Sequence, residues 1–455
     1  MRIVLSVPAF FPHSFGGGEV YVHRLARALR ESGHEAIVLT ARRGEARGPE
    51  HAYAYEGTPV RTFAASPESW RERYTGHGSV YTNAIRKALQ ELRPDVVHIN
   101  GWKPACAEAC RSLGVPHVTT AHHAGIACPA GTLVTPEGRV CPRPISTHAC
   151  VPCASRNRRP RWAAGRALGM LPRPLYRALG RRLDGVARLS FLERGLIHPW
   201  LVDEAIGSKR SLLDDPAPII APSNFMRELL VRNGRSHESV PLVPHTIEPL
   251  SRTPIEALEG RPLRFGYVGR IEPLKGLATL LSALSMLRDP GRCELHVYGA
   301  PRTPWDEVHA AKTFAEYRGG ARVVRHGRVD PSELSRVYAS FDVLVVPSLL
   351  PEAFGLVVLE AFSAGRPAVV FPSGALPELV RDGVDGVVVP RRDAASLAVV
   401  LQSIIDAPEQ VRAFADRVRV VNEMKSHVDQ IVEVYERVLE CQRRRSAGAG
   451  SIPAP

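Results

Sequence analysis

No apolar run in this 455-residue chain approaches the ~20 residues that a membrane-spanning helix needs, which excludes such a span from the sequence. Acidic residues are in deficit. Against 59 Lys and Arg stand 46 Asp and Glu, a formal net charge of +13. That balance suits an anionic partner (nucleic acid, a nucleotide or an acidic membrane surface), and an Arg-rich composition without a special partner explains it equally well. Cysteine is scarce, with eight residues, four of them gathered in 128–153. No internal repeat is visible beyond two series of similar strand–helix alternation. The opening MRIVLSVPAFFP has a short apolar stretch, one Arg and no small-residue cleavage site in register, so it reads as a buried first strand rather than a leader. The chain is therefore expected in the cytoplasm, where thiols stay reduced or bind metal.

What is present fits two α/β domains with separate cores. Hydrophobic content is 44% and charged content 23%, ordinary for a globular protein. IVLSV (3–7), a glycine stretch, a helical pattern from Val20 to Leu29 and AIVLT (36–40) form a strand–turn–helix–strand unit, the opening of a doubly wound parallel sheet. NAIRKALQELRPDVVHIN repeats it, and HVTTAHH (117–123) reads as a strand with His122 at its carboxyl end. A second series starts at LRFGYVGRI (263–271) and continues through CELHVYG, RVVRHG, DVLVVPS and PAVVFPSG. The expected division is 1–248 for the first domain, 249–262 for a Pro-rich linker and 263–425 for the second domain. A last long helix near 409–440, with 426–442 set apart as a C-terminal helix packing back on the first domain, and a disordered tail at 443–455 complete it.

Candidate chemistry falls at the strand ends. Gly16, Gly17 and Gly18 follow strand one and precede a helix, where backbone N–H groups can approach a phosphate or sugar. Arg270 and Lys275 flank a Pro-containing turn after the first strand of the second series, a spacing that can straddle a diphosphate. PEAFGLVVLEAF (351–362) sets Glu352 in a loop and Glu360 within the helix that follows. The N–H groups of Gly355 and Leu356 would open that helix, a natural phosphate site. One carboxylate on each side, separated by about 10 Å of helical rise, can take hydroxyls from the two ends of a nucleotide sugar.

Glu352-x7-Glu360, Arg270 with Lys275, the Gly16–Gly18 stretch, His122 and PSNF (222–225) together resemble the retaining glycosyltransferases of family 4, with the GT-B fold. EAFGLVVLEAFSAGRPAVV followed by GALPELVRDGVDG is similar to that family's donor-site signature. The resemblance extends over nearly the whole chain. It implies two Rossmann-like domains facing across a cleft, and transfer of a hexose from a nucleotide-diphosphate sugar to a hydroxyl acceptor. It implies that Arg270 and Lys275 hold the diphosphate and that Glu352, with Phe354, Gly355 and Leu356 beside it, binds the donor sugar. Glu360 would bind the ribose. The Gly16–Gly18 stretch would touch donor phosphate or acceptor, and His122 would act at the reacting sugar. The motif here is HHAG, which leaves His123 as the alternative to His122. Catalysis is expected to need no cofactor, and no D-x-D motif stands at an expected strand end.

Other readings remain open: a GT-B enzyme of another class, such as a nucleotide-sugar epimerase or pseudo-glycosyltransferase, or a non-catalytic scaffold. The expected setting is cell-surface glycan, glycolipid or secondary-metabolite synthesis, with no nucleic-acid partner. Residues 156–194 hold eleven arginines among Trp162, Leu168, Met170, Leu171, Leu175, Tyr176 and Leu179. Such a stretch can meet an anionic membrane at the inner face or a lipid-linked acceptor, and a solvated helical face is the alternative. Cys128, Cys141, Cys150 and Cys153 are spaced C-x12-C-x8-C-x2-C in a Pro- and Gly-rich segment. Four thiolates suit a tetrahedral structural zinc, with two disulfides or four free thiols as the alternatives.

Overall fold

Five consecutive buried residues, Ile3 to Val7, run along the strand Arg2–Val7 (β1). A strand apolar on both faces belongs inside a parallel sheet covered by helices on each side. The computed structural model describes residues 1–13, 16–42, 52–67, 69–156, 172–186, 191–419 and 423–448. β1 is followed by Glu35–Ala41 (β2), Ala52–Tyr55 (β3), Thr58–Phe63 (β4), Val96–Ile99 (β5), His117–Thr120 (β6) and Ile219–Ile220 (β7). Their order in the sheet is β3-β4-β2-β1-β5-β6-β7. All neighbours pair in parallel except the edge hairpin β3–β4.

The second sheet is wholly parallel. It contains Leu263–Val268 (β8), Cys293–Tyr298 (β9), Arg322–Gly327 (β10), Val343–Val346 (β11), Ala368–Val370 (β12) and Gly386–Val388 (β13), in the order β10-β9-β8-β11-β12-β13. Alternate residues feed two cores. Val343, Val345 and Val369 join Phe265 and Leu295 on one face, while Leu344, Val346 and Val370 join Tyr338 and Phe362 on the other. The result is a three-layer sandwich, as the period-2 side-chain geometry of a strand requires.

Two compact units result: Met1–Val243 with Lys425–Pro455, and Pro244–Met424. The expected boundary at 248 therefore moves to 243–244, and the expected linker 249–262 groups with the second unit. The tie is physical. Arg366, itself buried, donates through Nη1 to the Thr253 carbonyl (2.8 Å), and Arg261 makes a bidentate pair with Asp342 (2.7 and 2.8 Å). The long helix expected near 409–440 is two helices, Glu409–Arg417 and Met424–Gly448. The second runs past 442, so the segment expected as a tail is helical to Gly448. Residues 449–455 lie outside the described residues.

Part of the Arg-rich stretch also lies outside them (157–171 and 187–190), including Trp162, Leu168, Met170 and Leu171. Where it is described, two arginines serve the fold. Arg173 and Arg177 on the helix Arg173–Leu183 both bond the buried carboxylate of Asp203. Tyr176 is buried with Trp200, and Gly180 lets Trp200 approach, since a Cβ there would stand 2.3 Å from its ring. Leu175 is exposed. No helix among the described residues is long and apolar enough to cross a membrane.

Asp342 is 1% exposed just ahead of β11 and accepts from Arg261, the Arg264 side chain and the Arg264 N–H. Burial alone would raise its pKa, but these bonds outweigh burial and hold it below the ordinary carboxyl range. A depressed folded-state pKa adds stability above the unfolded value near 4, and that stability is lost as pH falls through the folded value. Asp342→Asn should thus cost about 3 kcal/mol at neutral pH by removing the buried carboxylate that two partly buried guanidinium groups share. The deficit should shrink on acidification to about pH 3. Urea unfolding at both pH values is the check, and equal midpoints at neutral pH would contradict it.

Candidate active site

In the second unit the candidate residues emerge at the carboxyl ends of β8 and β11. β8 ends at Val268, and Arg270 follows two residues later. Arg270 Nη1 donates to Glu272 Oε1 at 2.7 Å and the side chain is about half exposed, while Tyr267 donates to the Arg270 carbonyl (2.8 Å). Pro273–Lys275 forms a single tight turn closed by Gly276 at φ 77°. Lys275 Nζ donates to Glu352 Oε1 at 2.7 Å, and Ser348 Oγ donates to the same oxygen at 2.6 Å. Lys275 and Glu352, assigned separately to diphosphate and sugar, are therefore each other's partner.

The loop that carries Glu352 is stapled to the turn after β12. Glu352 bridges Gly374, the Ala375 N–H donates to the Glu352 carbonyl (2.9 Å), and a Cβ on Gly374 would stand 2.2 Å from that carbonyl oxygen. Phe354 is buried and meets the His245 ring edge-on at 5.4 Å. Gly355 caps the helix Leu356–Ser363 at φ 123°, a conformation that a side chain would strain. Glu360, on that helix, accepts from the Tyr338 hydroxyl at 2.7 Å.

In the first unit His122 lies two residues beyond β6. Its Nε2 donates to Asn100 Oδ1 at 2.6 Å, and its ring meets Tyr21 edge-on at 5.0 Å. Asn100, one residue past β5, is buried and also donates to the His98 carbonyl (3.2 Å). His123 instead caps the turn Ala124–Ile126 through Nδ1. Gly16 caps the helix Gly17–Glu31, so Gly17 and Gly18 occupy its first turn rather than a loop. Glu19 lies in that turn, and a Cβ on Gly16 would stand 2.6 Å from its carboxylate. A carboxylate there favours a ligand hydroxyl over a phosphate.

Cys128, Cys141, Cys150 and Cys153 line one cavity of about 740 Å³, and no disulfide joins any of them among the described residues. No group of three or more His, Cys, Asp or Glu is disposed to hold a metal ion among the described residues. Sequence reasoning missed Ser348, Tyr338 and Asn100. Ser348 closes the strand motif DVLVVPS, so its hydroxyl at a strand end was a usable signal. Nothing in the sequence ties Tyr338 to Glu360.

Two α/β units with parallel sheets, each presenting polar side chains at strand carboxyl ends, define the GT-B class of transferases. The model of Glycosyltransferase Family 4 matches residues 15–186, and that of Glycosyl transferases group 1 matches 262–407. A D-inositol 3-phosphate glycosyltransferase of Actinosynnema mirum is 39% identical over 423 residues, covering 88% of this chain and 86% of its own. A glycogen synthase of Mycobacterium tuberculosis is 28% identical over 449 residues, 93% of this chain and 91% of its own. Among solved structures, sucrose-phosphate synthase of Thermosynechococcus elongatus has a TM-score of 0.63 at 20% identity, over 99% of this chain and 100% of that one. Anabaena Alr3699/HepE, solved in complex with UDP and glucose, has 0.62 at 17%, over 97% and 99%. The chain belongs to glycosyltransferase family 4, and it is a glycosyltransferase of GT-B fold.

Gly276 is the joint that presents Lys275. A Cβ there would stand 1.8 Å from the Pro347 carbonyl oxygen, at a backbone angle that already costs about 1–2 kcal/mol for any other residue. Gly276→Ala should lower the thermal midpoint by at least about 2–4 °C. Differential scanning calorimetry tests this, and an unchanged midpoint would contradict the turn geometry.

Proposed function

We propose that the protein moves a sugar from a nucleotide-diphosphate sugar to a hydroxyl acceptor with retention at the anomeric carbon, in glycan, glycolipid or secondary-metabolite synthesis in the cytoplasm. The supporting observation is the Lys275–Glu352–Ser348 cluster beside the Gly355 helix start, with Arg270 on the same loop as Lys275. Names of similar proteins point the same way: one acts on an inositol phosphate and another was solved with UDP. In this reading the bond from C1 to the diphosphate breaks and a bond from the acceptor oxygen to C1 forms. The acceptor proton is released, and a nucleoside diphosphate leaves. Arg270 and Lys275 stabilise the charge that grows on the departing diphosphate. Glu352 receives donor-sugar hydroxyls, Glu360 the ribose, and His122, held in one tautomer by Asn100, is the catalytic group of the first unit. Arg270→Ala and Glu360→Ala should each lower kcat/KM at least about tenfold with the fold intact, since a hydrogen bond to a charged group is worth ~1.5–3 kcal/mol. Donors are first chosen by thermal stabilisation. Wild-type kinetics in both variants would remove the site assignment, and turnover without any acceptor would favour an epimerase.

The four clustered cysteines enter this reading as a structural zinc site. Their spacing and shared cavity support it. To bind, the thiols would have to draw together and ionise. Burial, and then Cys128, Cys141 and Cys150, push Cys153 up to about 11, and burial also raises Cys150. Zinc would offset that cost by binding thiolate. Metal analysis of protein purified without a His-tag should find about one zinc per chain. Substoichiometric metal with every thiol freely titratable in the folded protein would rule the site out.

A further inference from the structure

The helix Leu356–Ser363, LVVLEAFS, carries one charged side chain, Glu360. Its neighbours Val358, Leu359, Ala361 and Phe362 are buried, while Glu360 keeps partial access to solvent. A glutamate so placed would ordinarily sample several rotamers. Here one oxygen is fixed. Tyr338 donates its hydroxyl to Glu360 Oε2 at 2.7 Å, and Tyr338 is 0% exposed. The donor has no room to yield. Tyr338 lies on the helix Leu334–Ala339, its ring meets Phe341 edge-on at 5.5 Å, and its carbonyl accepts from Nε of the buried Arg366 at 3.0 Å. Burial first, and then the charge of Glu360, raise the Tyr338 pKa well above its ordinary value, so the hydroxyl keeps its proton and donates it.

Immobilising a long side chain at the moment a ligand arrives lowers affinity roughly two- to tenfold, and a carboxylate already held avoids that loss. We propose that Tyr338 is a positioning residue for the nucleotide. Through Oε2 it holds the Glu360 carboxylate in the orientation that receives ribose hydroxyls, and it thereby strengthens the preference for ribose over deoxyribose. That Glu360 meets the ribose is the transferase reading given above, on which this inference rests. Tyr338, fully buried, acts only through Glu360. A purely structural role for the same bond, giving a buried hydroxyl its acceptor, makes the opposite demand: phenylalanine would then serve nucleotide binding as well as tyrosine does.

Calorimetric titration of the full chain with UDP, ADP and GDP, each alone, selects the nucleotide that binds. That nucleotide and its 2′,3′-dideoxy counterpart are then titrated into wild type, Tyr338→Phe, Glu360→Ala and the double variant. Tyr338→Phe should weaken the ribonucleotide about fivefold and leave the dideoxynucleotide within about twofold of wild type. Retained dideoxynucleotide binding also shows that the variant is folded. Glu360→Ala should weaken the ribonucleotide at least as much, and the double variant should lose no more than Glu360→Ala alone, because Tyr338 acts through that carboxylate. Equal ribonucleotide binding by wild type and Tyr338→Phe, or an equal loss with the dideoxynucleotide, would overturn the proposal while leaving Glu360 in its place. Wild-type binding by Glu360→Ala, or binding by none of the three nucleotides, would instead remove the ribose reading itself, and this inference with it.

Discussion

A parallel sheet covered on both faces leaves a polar side chain almost nowhere to stand except at the strand ends. The central strands here are buried along nearly their whole length: β5, β6 and β11 throughout, β1 from its second residue. Polar function is therefore displaced to the few residues after each strand. Asn100 follows β5 by one residue and His122 follows β6 by two. Arg270 follows β8 by two and Ser348 follows β11 by two. The loops there are held by main-chain contacts that only glycine allows, at Gly276 against Pro347 and at Gly374 against Glu352. The chemistry is loop-borne but rests on rigid strands, which is how a site keeps its geometry while its loops vary.

Charge pairing follows from the same displacement. At a strand end a lysine or carboxylate is partly desolvated, and standing alone would be costly. Lys275 and Glu352 meet that cost for each other, at 21% and 16% side-chain exposure. The pair therefore keeps both charges at one strand end, each held by the other. Asp342 with Arg261 and Arg264 is more deeply buried and bonded at both oxygens, so it serves stability alone.

The legible parts of the sequence were those with strong local signals. Runs such as IVLSV and DVLVVPS became central strands because nothing but the core can take them. AYAY and TPVRTF went unread as β3 and β4, since an edge hairpin needs only alternating burial and tolerates Pro59 and Arg61. The stretch 409–440 read as one helix because its apolar spacing continues on both sides of the break. In the donor-side motif the residues at short range were legible, while their holders were not. Tyr338 reaches Glu360 across 22 positions and Asn100 reaches His122 across another 22, through tertiary packing that no local pattern encodes.

The return of the C-terminal helix to the first unit links the far end of the chain to that unit's candidate residue. Tyr435 is fully buried, and its hydroxyl lies 2.7 Å from His98 Nδ1, whose Nε2 lies 2.6 Å from Thr120 Oγ1. Burial, then Lys103 and His427, lower the His98 pKa to about 3, so its ring stays neutral and one nitrogen must accept while the other donates. His427, from the same helix, lies 3.2 Å from the Tyr21 hydroxyl, and Tyr21 is the ring packed against His122. Two hydrogen-bond links thus run from the last long helix into β5, β6 and the first helix, the elements that carry or pack against Asn100 and His122. The last helix is therefore a structural part of the unit that begins the chain, and the position of His122 depends on residues more than 300 positions away in sequence.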